Sequence, residues 1–190
     1  MTKLLTIVLI SLLVVSCDKD NPVESSLCDE SIEVELWGEC YNIETTTTLN
    51  PYNSQTSGQV IPPEIGNLIN LTVIDLLNNQ LTGEIPPEIG NLTNLWYLEL
   101  HGNQLTGEIP LEIGNLVNLT FLHLDNNNLS GEIPGNICDL TINWSGGHDL
   151  IHGIPLQYFD VDNNNLCPPY PDCGEGPVTL ENQQNTSNCP

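Results

Sequence analysis

Glu99, His101, His123 and Asp125 set two imidazoles and two carboxylates at matching offsets, 24 residues separating 99 from 123 and 101 from 125. Imidazole nitrogen and carboxylate oxygen together suit Zn²⁺ or another transition metal. The same groups can instead exchange hydrogen bonds with a ligand. Asp160 and Asp162 extend the acidic set, and Tyr97, Phe121 and Tyr158 add aromatic surface at related positions. Nucleophilic catalysis finds no frame. Ser130, Ser145 and His148 stand in no G-x-S-x-G context, and no G-x-x-x-x-G-K-[ST] loop is present to hold phosphate. Paired carboxylates hydrolyse glycosides in some enzymes, but solvent-facing positions account for these acids without that role. Asp160-Val161-Asp162-Asn163-Asn164-Asn165 has the composition of a calcium loop and lacks EF-hand spacing. The chain reads as a binder or a structural surface component, with an enzyme a distant third and no cofactor implied.

A repeat must position these groups. Residues 65–88 read IGNLINLTVIDLLNNQLTGEIPPE, residues 89–112 IGNLTNLWYLELHGNQLTGEIPLE, and residues 113–136 IGNLVNLTFLHLDNNNLSGEIPGN. Three ungapped copies follow one another. L-x-x-L-x-L alternates apolar and polar residues, so each copy opens with a short strand, and the strands stack in parallel. Val73, Tyr97, Phe121 and Tyr158 precede the L-x-L. Asp75, Glu99, His123 and Asp160 stand inside it, and Leu77, His101, Asp125 and Asp162 follow it. Alternation turns all three columns away from the leucine core. The central core positions are then Ile74, Leu98, Leu122 and Phe159. Asn79, Asn103 and Asn127 can donate and accept at once, and so satisfy buried backbone groups of adjoining coils. Gly83, Gly107 and Gly131 suit a bend that a Cβ obstructs. The I-G-N-L segment gives a short helical or 3-10 return.

Degenerate coils flank the block. Upstream, Leu49, Gly58 and Ile61-Pro62-Pro63 keep the pattern with one extra residue. Downstream, Leu156, Phe159, Val161, Asn164 and Leu166 keep it after an insertion that includes Trp144-Ser145-Gly146-Gly147-His148. The chain divides into residues 1–17 (signal peptide), 18–27 (polar tether), 28–64 (N-terminal cap and degenerate first coil), 65–136 (the three copies) and 137–190 (irregular last coil and C-terminal cap). Lys3 and the apolar run Leu4 to Val15 form a leader too short to span a bilayer. No membrane span or kinase sequence is expected after the repeats. Excluding Cys17 leaves Cys28, Cys40, Cys138, Cys167, Cys173 and Cys189, an even set that points to disulfides in an exported protein. We pair Cys28 with Cys40, and Cys167 with Cys173, which leaves Cys138 for Cys189; the last four can permute.

The phrase LxxLxLxxNxLTGEIPxEIGNL resembles the plant-type leucine-rich repeat of plant receptor-like proteins, polygalacturonase inhibitors and bacterial surface proteins. Trp37-Gly38-Glu39-Cys40 is similar to the signature of that class's N-terminal cap, and the stretch from Asn165 to Cys173 to its C-terminal cap motif. The resemblance covers roughly residues 28–175. It implies an α/β repeat: a right-handed solenoid of about five coils, a concave parallel sheet, disulfide-bonded caps, and recognition of a protein, peptide or glycan on the concave face by a monomer. The ligand site expected there comprises Tyr97, Phe121, Tyr158, Glu99, His101, His123, Asp125, Asp160 and Asp162; a metal among Glu99, His101, His123 and Asp125 is the competing reading. Val14-Val15-Ser16-Cys17 resembles a bacterial lipobox, which implies lipidation of Cys17 and attachment to a bacterial membrane facing periplasm or cell surface. An ordinary signal peptide cut near the same place, giving a secreted protein, is the alternative.

The charge narrows the partners. Asp and Glu number 25 against 2 Lys and Arg, for a formal net charge of −23. Binding nucleic acid or anionic lipid headgroups requires many cationic side chains, so neither is a partner, and contact with the membrane is through the N-terminal lipid alone. Asn-x-Ser/Thr occurs at Asn70, Asn91, Asn118, Asn128, Asn143 and Asn185, but N-L-T is part of the repeat itself and says little about glycosylation.

Overall fold

The computed structural model describes residues 28–51, 56–142, 147–148, 155–156, 159–174 and 183–189. The leader, Cys17, the tether, Tyr158 and most of the insertion lie outside the described residues. A hairpin opens the fold, with β1 (Glu33–Leu36) antiparallel to β2 (Glu39–Asn42). β3 (Thr48–Leu49) then starts the main sheet. Each coil afterwards adds a strand to it: β4 (Val73–Asp75), β6 (Tyr97–Glu99), β8 (Phe121–His123) and β12 (Phe159–Asp160). These five pair in parallel in the order β12-β8-β6-β4-β3. The register aligns Leu49, Ile74, Leu98, Leu122 and Phe159. The coils and columns expected from the repeat are therefore present.

A second edge of the coils carries shorter pairings: β5 (Thr82–Gly83) with β7 (Gln104–Leu105), and β9 (Ser130–Glu132) with β13 (Asn165–Cys167). β10 (Gly147–His148) pairs antiparallel with β11 (Pro155–Leu156). The returns are five-residue 3-10 turns at Pro63–Asn67, Pro87–Asn91, Leu111–Asn115 and Gly135–Asp139. Proline before each turn supplies extended backbone, and a turn so short has no room for an α-helical ladder. Gly90 lets neighbouring turns approach, since a Cβ there would lie 2.6 Å from Glu112 O. Gly107 has φ +77, the left-handed region that glycine enters without penalty.

Inside, Leu and Ile from every coil make one continuous column; Ile74, Leu98 and Leu122 are fully buried, while Phe159 packs against its end half-buried. Each fully buried Leu or Ile side chain contributes about 1.5–3 kcal/mol of transfer free energy. The polar counterpart is an amide ladder. Asn103 Oδ1 accepts from the backbone N–H of Asn79 and of Leu81, both at 3.0 Å. Asn103 Nδ2 donates to Leu76 O and Leu100 O, both at 2.9 Å. Asn127 and Asn164 repeat the scheme. At one end Thr56 Oγ1 donates to Asn79 Oδ1 at 2.6 Å. At the other, Gln184 takes the place of a further ladder asparagine: its Oε1 accepts from Asn164 N at 3.3 Å and its Nε2 donates to Val161 O at 3.0 Å.

Both ends are covered. Trp37 turns the hairpin and donates from Nε1 to Val60 O at 2.8 Å, and Cys28–Cys40 closes it, as paired from the sequence. The C-terminal pairing is a correction. Cys138 joins Cys173, and Cys167 joins Cys189. Residues 183–189 run along the last coil where another coil would stand, with Asn163 N bonding Gln183 O and Asn185 N bonding Asn164 O. That course brings Cys189 to the end of β13, beside Cys167. Cys173 instead folds back against the core near the last 3-10 turn, where Cys138 waits.

Candidate functional site

Leu98 and Leu122 point into the core, so their flanking residues on β6 and β8 face out. Register sets Tyr97 beside Phe121 and Glu99 beside His123. The two rings stack, centroids 4.2 Å apart and planes 7° from parallel. The His123 imidazole continues the stack at 4.0 Å from Phe121, tilted by 39°. Trp96, 47% exposed, meets Tyr97 edge-on. The repeat has threonine at the matching positions 72 and 120, so this indole was visible in the sequence as a departure.

The acidic and imidazole groups are paired across strands. His101 Nδ1 lies 2.6 Å from Asp125 Oδ2, and His123 Nδ1 lies 3.2 Å from Glu99 Oε2. A carboxylate accepts only, so each Nδ1 donates. Glu99 Oε1 also accepts from His101 N at 3.0 Å, and Asn126 Nδ2 donates to Asp125 Oδ2 at 2.6 Å. Glu99 and Asp125 are consequently buried, 6% and 7% exposed. The solvated acidic band read from the sequence is corrected at these two positions: an imidazole one coil away covers each carboxylate. The structure places these four in two imidazole–carboxylate pairs. Among the described residues, the group of three ligand side chains whose atoms lie within 4.8 Å of one another is Cys28, Glu33 and Cys40, and its sulfurs are already bonded.

Asp160 stands beside His123 across β12 and β8. Its Oδ1 accepts from Asp162 N at 2.9 Å. Burial pushes its carboxyl above the ordinary value, with the carboxylates of Asp125 and Asp162 adding to the rise. Asp162 in turn accepts from Gln183 Nε2. Burial also pushes the Tyr97 phenol up to about 12, helped by Glu99 and Asp75. The site therefore holds aromatic rings close to carboxylates whose nearest cationic candidates are the imidazoles of His101 and His123.

Asp160 gives a stability prediction. A carboxyl whose value is raised in the fold binds more protons folded than unfolded, so its contribution favours the fold at low pH and is lost as pH rises. Asp160→Asn keeps an acceptor for Asp162 N and removes the charge. It should unfold at higher urea than the parent at about pH 7, with the difference closing at about pH 3. A variant no more stable than the parent at neutral pH would contradict this account of the site.

The residues matched by the Leucine Rich Repeat family model are 70–92, 94–116 and 118–140. No curated protein sequence matches the chain. Among solved structures, the BIR2 ectodomain from Arabidopsis thaliana is similar at 28% identity and a TM-score of 0.53, over 67% of this chain and 60% of that one. The Arabidopsis receptor kinase HAESA, in complex with the peptide hormone IDA and the co-receptor SERK1, is similar at 32% identity and a TM-score of 0.53, over 64% of this chain and 18% of that one. The chain thus spans less than two thirds of either structure's own chain. Matched repeats, parallel register and these neighbours agree: the chain carries leucine-rich repeats and folds as a leucine-rich-repeat solenoid.

Proposed function

We propose that this protein is an exported binding module of the plant-type repeat class, with no catalytic role, that takes a peptide, protein or glycan on the outward face of its five-stranded sheet. The observation that carries the reading is the stacked Tyr97–Phe121 pair, half-buried beside a set of carboxylates. Aromatic rings offer large contact area at little entropy cost. The HAESA structure, which holds a peptide hormone and a co-receptor, supports peptide or protein as the ligand class. Three disulfides support passage through an oxidising compartment. The residues before Cys17 support a lipid anchor on a bacterial membrane, with the solenoid held as a monomer beyond a polar tether. Among the described residues no helix is long and apolar enough to cross a membrane.

Glycan and peptide arrays probed with residues 18–190 test the reading. Tyr97→Ala and Phe121→Ala should each weaken whatever ligand is found by more than about 1 kcal/mol, with near-native thermal unfolding. Glu84→Ala and Glu108→Ala, exposed beyond the second edge of the coils, should change little. The opposite pattern, loss at Glu84 and Glu108 with Tyr97 and Phe121 silent, would move the site off the sheet.

A further inference from the structure

We propose that the sheet face is built for an extended basic peptide, one arginine stacking on Tyr97 beside Asp75 and a second entering between Asp160 and Asp162. This rests on the reading that the face binds a ligand, and assigns that ligand's chemistry.

Charge is the first argument. The two basic residues of the chain are Lys3 and Lys19, so the described residues hold no lysine or arginine. Asp75, Glu99, Asp125, Asp160 and Asp162 share one face with the imidazoles His101 and His123 as their nearest cationic candidates. Asp125 is 7% exposed, and its Oδ1 has no hydrogen-bond donor among the described residues. Burial and the carboxylates of Asp125 and Asp162 raise the Asp160 carboxyl above its ordinary value, against the opposing pull of the Asp162 backbone N–H and the His123 imidazole. A fold that keeps such charge together sacrifices stability there, and an incoming cation relieves it.

Shape is the second. Phe121 covers one face of Tyr97. The register neighbour on the other side is Val73, whose shorter side chain covers only the base of the ring and leaves its outer end without a stacked aromatic partner among the described residues; Trp96 meets the ring edge-on. Asp75 follows Val73 by two residues on the same strand face. Its hydrogen bonds are long: Asn50 Nδ2 to Oδ2 at 3.3 Å and Leu77 N to Oδ1 at 3.3 Å. A planar guanidinium can lie on the ring and direct paired N–H groups at the carboxylate, which a lysine ammonium or a sugar hydroxyl cannot do together. Calcium is disfavoured because it takes six to eight oxygens, and the acids here are spread over separate coils. From Asp75 to Asp160 is three strand steps, about 14 Å. An extended peptide crossing the strands covers that distance in about four residues.

The test is binding of fluorescent peptides to the full chain, followed by anisotropy. The probe is an uncharged Gly/Ser peptide carrying two arginines four residues apart, with versions in which lysine or glutamate replaces arginine or the spacing is halved. The arginine peptide should bind most tightly, with the lysine and short-spaced versions about threefold or more weaker and the glutamate version not bound. Asp75→Asn and Asp160→Asn should each weaken it about fivefold or more, and raised salt should weaken it further. Asp160→Asn is predicted above to be the more stable protein at neutral pH, so loss of binding there is not loss of fold; near-ultraviolet circular dichroism checks Asp75→Asn. Equal affinity in both variants, or equal binding of the glutamate peptide, overturns the assignment. A neutral glycan or acidic peptide that binds and is lost in Tyr97→Ala also overturns it, while leaving the sheet-face reading intact. Loss of the arginine peptide only in Glu84→Ala or Glu108→Ala would instead remove the sheet-face reading itself.

Discussion

Asn103→Ala should destabilise the solenoid by about 4 kcal/mol or more, although it removes no charge and little apolar surface. The side chain serves four buried backbone groups: the N–H of Asn79 and Leu81, and the carbonyls of Leu76 and Leu100. Alanine supplies neither donor nor acceptor, and each group left unpaired in the interior costs about 1–3 kcal/mol. Water does not replace the amide readily, because Asn103 is 6% exposed within the coil stack. Asn103→Asp separates the halves of the effect. It retains acceptors for the two N–H groups but loses both donors, and buries a charge facing carbonyl oxygens. It should therefore be at least as damaging at neutral pH and partly recover in acid, where the carboxyl gains a proton to donate. Urea unfolding at two pH values measures both. Loss of less than about 1 kcal/mol in Asn103→Ala would mean that the ladder is a consequence of the stack and not a support for it.

The ladder also indicates what can be read from one sequence. Asn79, Asn103 and Asn127 repeat with the leucines, so their shared duty follows from period and chemistry. Gln184 does the same work at the C-terminal end, where there is no period left to reveal it and a longer side chain substitutes from a different backbone course. The C-terminal disulfides, left open to permutation while Cys28–Cys40 was paired correctly, were misassigned for the same reason. Cys189 was paired by elimination, but its place is set by residues 183–189 lying along the last coil. A second amide series escaped notice through a competing meaning. Asn70, Asn94 and Asn118 donate from Nδ2 to carbonyls of the preceding coil, at Glu44, Ile69 and Thr93. Asn70 and Asn118 stand in Asn-x-Ser/Thr triplets that say little about glycosylation, and their amide nitrogens are engaged in the stack.

At the sheet face the columns were legible and the pairings within them were not used. Glu99 and His123 share a register position, as do His101 and Asp125, so their spacing already placed opposite partners on adjacent strands. Reading each column as solvated ignored that a side chain in a parallel stack is covered mainly by its neighbour one coil away. That omission concealed the burial of Glu99 and Asp125, and with it the distinction between paired carboxylates and those at Asp75 and Asp160.

Leu98→Ala should cost about 2–5 kcal/mol, the upper part of that range applying because both sides of the site are filled. Leu98 is fully buried between Ile74 and Leu122 in register, with Leu95 and Leu100 of its own coil also fully buried. A cavity there cannot be closed by moving one coil inward, since the 3-10 turns behind it are already in contact at Gly90 and Glu112. The position along the chain adds a second consequence. Each coil of a solenoid touches only its neighbours, so cooperativity passes through every interface in turn. A defect in the middle coil weakens the coupling between the hairpin-capped half and the disulfide-capped half. The denaturant transition should broaden, and amides of 97–99 and 121–123 should exchange faster than those of β4. Phe159→Ala, at the half-buried end of the same column, should lower stability less and leave the transition sharp. If Phe159→Ala proves the more damaging of the two, the stability of the stack resides in its C-terminal cap and not in its central leucines.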